Sequence, residues 1–245
     1  MTFRNAALKA FFDSGLVIAI VLLVVKGVGA VGILPGDSND EVDISLEAEH
    51  QFIPNERLPF YAEASFTPHW FGSDADVPQD FHHIGSFNLT NQEGQAVTEE
   101  TFENKIYIAN FFFASCSGIC PMTMANLQRL QQSISEMDDV LILSHSVTPD
   151  KDSVPALKSF GSMMNARAEK WHLTTGDRDH IYDLGKNYYF AEEDLGEASS
   201  ESEFLHTESF FLIDQRRRIR GVYNGMNKTA VNQLLEDVQT LRNGR

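Results

Sequence analysis

Two cysteines stand four positions apart in the run Cys116-Ser117-Gly118-Ile119-Cys120-Pro121, and the 245-residue chain has no others. Thiols at this spacing can converge on one soft ion or close into a disulfide. Pro121 suits the first turn of a helix, which places Cys120 beside a helix N-terminus. The partial positive charge there stabilises a thiolate and lowers the thiol pKa. Soft sulfur donors select Cu(I) over hard cations. A purely structural disulfide is a poorer account, because a loop of five residues yields little entropic stabilisation. Two cysteines also exclude a four-cysteine zinc or iron–sulfur site built from this chain alone.

The elements that must position this pair follow from hydrophobic patterning. Residues 105–113 (KIYIANFFF) form a nearly continuous apolar run, the mark of a strand buried on both faces. Helical spacing follows from Pro121 to Ile134, at Met124, Leu127, Leu130 and Ile134. A second buried strand is predicted over 140–147 and a second helix over 154–168. Leu173-Thr174-Thr175 reads as a short strand and 180–188 as a helix. Two strands, 204–214 and 218–224, flank Gln215-Arg216-Arg217, and a closing helix spans 228–242. Upstream, Phe87-Asn88-Leu89 and Gln95-Ala96-Val97 make a hairpin about Asn91-Gln92-Glu93-Gly94. This order of strands and helices is that of an α/β, thioredoxin-like fold over 81–245. The cysteines fall between its central strand and the helix that follows.

At these residues the chain resembles the Sco (SenC/PrrC) family of copper-delivery proteins. Phe111-Phe112-Phe113-Ala114-Ser115-Cys116-Ser117-Gly118-Ile119-Cys120-Pro121-Met122 is similar to the family's C-x-x-x-C-P signature. The segment 146–153 (SVTPDKDS) resembles its D-P-x-x-D segment, and His206 with 209–214 (SFFLID) its late-strand histidine. The resemblance covers residues 81–245. It implies that Cys116, Cys120 and His206 bind one copper, and that the copper is delivered to the dinuclear centre of cytochrome c oxidase subunit II. The sequence departs from the pattern at Thr148, where the family has its first acid. Asp152 matches the second, and beside the metal its expected role is orienting rather than ligating.

Other features bear on the same choice. A thioredoxin-type oxidoreductase carries a proline ahead of its late strand; this chain has Glu203-Phe204-Leu205-His206-Thr207 there. Imidazole with two thiolates accepts Cu(I) and tolerates Cu(II). A peroxiredoxin would carry Pro and Thr just before its nucleophile, where Phe111 to Ser115 stand here. His145, inside a buried strand, is expected to be a core histidine, and His82-His83 to lie at the surface, since neighbours on a strand face opposite ways. Met122 and Met124 are candidate thioethers, with Met124 at core spacing. No chemistry follows for His69 and Trp70.

The N-terminus reads as an address. Arg4 and Lys9 precede Leu16 to Leu34, nineteen residues with one lysine, Lys26, before Pro35-Gly36. Central apolar residues contribute about −0.3 to −0.6 kcal/mol each and outweigh the roughly 2.5–3.5 kcal/mol cost of one lysine. Positive flanks stay in the cytoplasm, and Asp37, Asp40, Glu41, Asp43 and Glu47 lie on the far side, so the domain is expected on the periplasmic (extracytoplasmic) side. A cleaved signal peptide ending near Val28-Gly29-Ala30 is the competing reading. With no cysteine near this segment, a lipoprotein anchor is excluded. Residues 1–35 thus read as a transmembrane anchor and 36–80 as an extended linker whose aromatic pieces, 58–61 and 66–70, rest on the domain surface.

With 35 acidic against 19 basic residues the formal charge is −16, which disfavours nucleic acid as a partner. The acidic, Ser-rich stretch 191–203 reads as a mobile loop able to steer a cation or a basic partner. The function that follows is a membrane-tethered copper metallochaperone serving cytochrome c oxidase subunit II or another cuproprotein. The alternative is a thiol–disulfide oxidoreductase using Cys116 and Cys120 without His206; a redox or copper sensor would use the same chemistry. Outside the cytoplasm the dithiol needs a separate thiol reductant.

Overall fold

The computed structural model describes residues 57–115, 120–191 and 208–244, without the side chains of Cys120 and Pro121. The expected anchor, the linker up to residue 56, Cys116, His206 and the acidic stretch from residue 192 lie outside the described residues. Among those described, no helix is long and apolar enough to cross a membrane.

The long apolar run becomes β3 (Ile106–Phe112), buried at all seven positions because it is covered on both faces. A hairpin precedes it, β1 (Asn88–Asn91) and β2 (Ala96–Thr98). After β3 come α1 (Cys120–Ser133), β4 (Val140–Ser146), α2 (Val154–Met164), β5 (Trp171–Thr175) and α3 (Arg178–Asp183). A π-helical turn, Leu184–Tyr188, extends α3. The antiparallel pair β6 (Ser209–Ile213) and β7 (Ile219–Asn224) leads to α4 (Lys228–Arg242). One seven-stranded sheet results, in the order β2-β1-β5-β4-β3-β6-β7. β3, β4 and β5 are parallel, and β6 runs antiparallel to β3.

Strand alternation sorts side chains onto two faces. Ile106, Ile108 and Phe112 of β3 pack with Leu127 and Leu130 of α1, Leu157 of α2 and Leu234 and Val238 of α4. Tyr107, Ala109 and Phe111 join Leu143, Ile181, Leu184, Tyr189 and Phe211 on the other face. The helix-side layer holds one polar ladder. Ser144 Oγ donates to Asn110 Oδ1 at 2.5 Å, and Trp171 Nε1 donates to Ser144 Oγ at 2.8 Å.

Helix α2 ends four residues earlier than the periodicity suggests. Asn165 adopts the left-handed conformation (φ 52°), and Ala166 N–H bonds back to the Gly161 carbonyl at 2.8 Å, closing the helix end. The chain is then free to begin β5 at Trp171, two residues ahead of the expected strand.

The aromatic segments upstream of the sheet lie on the domain, as expected. Phe60 pairs with His69 through reciprocal backbone bonds of 2.9 and 2.8 Å, and Tyr61 N–H reaches the Ile219 carbonyl of β7 at 3.1 Å. Phe60 is buried beneath the guanidinium groups of Arg220, 3.8 Å from the ring centre, and Arg218, 4.8 Å away. Arg218 bonds Asp214 and Asp74, while Arg220 bonds the carbonyls of Leu58 and Pro59, so hairpin and strap are held by one charged cluster.

Candidate metal and thiol site

The described chain approaches the cysteine run from two sides. β3 delivers it through Phe113, Ala114 and Ser115, and α1 receives it at Cys120, its first residue. The expected helix N-terminus at Cys120 is therefore present; the positions of Cys116 and of both sulfurs lie outside the described residues. β6 pairs with β3 antiparallel, with Ile108 opposite Leu212 and Ala109 opposite Phe211. This register sets the first residues of β6 beside the last residues of β3. His206, itself outside the described residues, is three positions before Ser209, which opens β6.

Two further ties lock these flanks. Gly225 N–H donates to the Glu208 carbonyl at 2.7 Å, and the Gly225 carbonyl accepts from Asn126 Nδ2 of α1 at 2.6 Å. One residue thus links α1 to the strand entry that follows His206. On the other side, the segment after β4 is drawn to β3 by Val147 N–H donating to the Phe112 carbonyl at 2.9 Å.

Asp152 is buried in that segment. Its Oδ2 accepts from Ser146 Oγ at 2.6 Å, Thr148 Oγ1 at 2.9 Å and Ala114 N–H at 3.2 Å. Ala114 is two residues before Cys116, so this carboxylate holds the chain that enters the cysteine run. Thr148, which stands where the resembling pattern has an acid, donates to Asp152 instead of facing it with a second charge. Ser146 and Thr148 went unnoticed in the sequence as partners of this group. The signal that could have found them is the polar end of a strand otherwise built for burial, since buried polar groups need partners.

The remaining candidates fall elsewhere. Met124 is buried in the core beneath β3, whereas Met122 is 52% exposed in the first turn of α1. His145 is fully buried, with Nε2 3.4 Å from the Tyr189 hydroxyl and no partner for Nδ1. Burial, with a smaller contribution from the charge of His180, lowers its pKa to about 3. It is a neutral core histidine. His83 is exposed as expected, whereas His82 is only half-exposed. Its Nε2 meets the Tyr188 carbonyl at 2.8 Å and its ring lies 4.6 Å from that of Phe190, because the segment carrying it is no regular strand and the turn after α3 folds over it. Among the described residues no three His, Cys, Asp or Glu side chains gather to hold a metal.

A parallel β3–β4–β5 core flanked by an antiparallel β6–β7 pair, with α1, α2 and α4 against one face and α3 against the other, defines a thioredoxin-like domain. The sequence model of the family described as SCO1/SenC matches residues 75–243, and the chain belongs to that family. The SCO1/SenC family lipoprotein of Bacillus anthracis is 29% identical, with a TM-score of 0.58 over 66% of this chain and 95% of its own. BsSco is 26% identical, with a TM-score of 0.54 over 65% and 92%. It is described as a member of the Sco family of cytochrome c oxidase assembly proteins with a disulfide switch. ScoI of Bradyrhizobium japonicum, solved with copper bound, shares the fold at 22% identity, with a TM-score of 0.52 over 64% and 98%.

Proposed function

We propose that this protein is a membrane-tethered copper metallochaperone that carries one copper ion on Cys116, Cys120 and His206. The observation that supports the reading is the β3–β6 register, which sets the start of β6, three residues after His206 in sequence, beside the end of β3, four residues before Cys116. Two thiolates and an imidazole suit Cu(I) and accept Cu(II), and the relative solved with copper bound points the same way. The acceptor is the dinuclear copper centre of cytochrome c oxidase subunit II, in keeping with the assembly role described for BsSco. Transfer proceeds by exchange of the ion from this chain's thiolates to those of the acceptor. Residues 1–35 anchor the chain, 36–80 extend it from the bilayer, and 81–245 hold the cargo on the periplasmic side, where a thiol reductant keeps the cysteines reduced and able to take copper. The lipoprotein description of the Bacillus anthracis relative supports life at a membrane surface, although residues 1–35 of this chain contain no cysteine.

A second reading is favoured by the disulfide switch described for BsSco: Cys116 and Cys120 reduce the acceptor's copper-binding cysteines. Replacing His206 by Ala separates the two. The metallochaperone loses copper affinity by at least tenfold, while exchange of the Cys116–Cys120 disulfide with a small thiol continues at its former rate. Unchanged copper affinity in that variant overturns the ligand assignment.

A further inference from the structure

The Asp152 carboxylate adds a side-chain tie between two segments that the β3–β4 pairing and the bond from Val147 N–H to the Phe112 carbonyl already bring together. Ala114 belongs to the stretch leaving β3, Ser146 ends β4, and Thr148 lies in the stretch that follows it. All three donate to the same oxygen, Oδ2, at 3.2, 2.6 and 2.9 Å. Thr148 N–H adds a bond to Ser146 Oγ at 3.2 Å, and Asp152 N–H and Lys151 N–H both return to the Thr148 carbonyl at 2.9 Å. Ser146 and Asp152 are buried, and Thr148 is 6% exposed, so these bonds do not compete with bulk water.

We infer that Ser146, Thr148 and Asp152 form a hydroxyl–carboxylate clasp that sets the stability of the Cys116–Cys120 disulfide through the Ala114 amide. The inference rests on the reading of Cys116 and Cys120 as the working dithiol. A pinned Ala114 narrows the freedom of the chain entering Cys116, two residues on, which raises the effective concentration of Cys116 at Cys120 and favours the disulfide. The two hydroxyl donors hold the carboxylate aimed at the amide, which a second acid at position 148 could not do. Ser146 and Thr148 are thus positioning residues, acting through Asp152.

The test uses the full chain in detergent micelles, metal-free, equilibrated with glutathione and glutathione disulfide. The two thiols lose two electrons and two protons as the S–S bond forms, and one glutathione disulfide becomes two glutathione molecules. Asp152→Asn, of nearly the same shape, shifts this equilibrium about tenfold towards the dithiol, or ~30 mV. Thr148→Val shifts it in the same direction by a smaller factor, and Thr148→Ser restores the original value. Hydrogen exchange of the Ala114 amide accelerates in both weakened variants while that of Ile108, inside β3, is unchanged. An unchanged equilibrium in a folded Asp152→Asn protein, or a shift towards the disulfide, overturns the inference. Copper binding by the unmodified chain is measured separately. Failure there contradicts the metallochaperone alone, and failure of the thiol equilibrium to move contradicts the clasp alone.

Discussion

Phe111 and His145 face each other across the parallel pairing of β3 and β4, their rings stacked with centroids 5.0 Å apart and an interplanar angle of 24°. The imidazole lies beside the strand that delivers the cysteine run, and its neutrality is part of the core.

His145 therefore makes folding sensitive to acid. With its folded pKa lowered by burial to about 3 and an ordinary unfolded value of 6.5, the unfolded chain binds the proton more readily. The stability present above pH 6.5 falls as pH drops towards 3, by about 1.4 kcal/mol per unit within that window. Chemical denaturation between pH 7 and pH 4 should show this slope. His145→Phe, which keeps an aromatic ring on Phe111, should flatten it.

Asp214 is the sole carboxylate among the described residues that is buried against both Arg218 and Arg220. It accepts from Arg218 Nε at 2.9 Å and Arg220 Nη1 at 3.3 Å. Asp214→Asn leaves two buried guanidinium groups short of charge and is expected to cost about 3–5 kcal/mol in urea unfolding. Proteolysis of the strap at residues 57–81 should accelerate in parallel, because the same arginines hold Phe60, Leu58 and Pro59.

Gly225 admits no side chain. A Cβ there would approach the Glu208 carbonyl to 2.7 Å and the Phe210 ring to 2.5 Å. Gly225→Ala should cost about 1–3 kcal/mol by overpacking. It should also speed copper release to a competing chelator, since Glu208 is two residues from His206. Lowered stability with unchanged copper release would contradict this link.

Much of this architecture was legible because burial on both faces leaves an unmistakable pattern. β3 and β4 read directly from their apolar runs, and α4 matches its expected limits at Lys228 and Arg242. The end of α2 was not legible, because it depends on Asn165 adopting a left-handed conformation rather than on periodicity. In the site, the cysteine spacing and the helix start at Cys120 were readable from Pro121. The bonds of Asp152 to Ala114, Ser146 and Thr148 were not, since each requires knowing that β3 and β4 lie side by side. The partial cover of His82 was not legible for a related reason: it comes from Tyr188 and Phe190, about a hundred residues away in sequence.

The measurement that tests the central claim most directly is copper titration of the reduced full chain, first with Cu(I) and then with Cu(II). The account predicts one equivalent held tightly. With Cu(II), thiolate-to-copper charge-transfer bands should appear, and both should vanish in Cys116→Ser and in Cys120→Ser. Absence of tight copper binding, alongside ready reduction and re-formation of the Cys116–Cys120 disulfide, would contradict it and leave the oxidoreductase in its place.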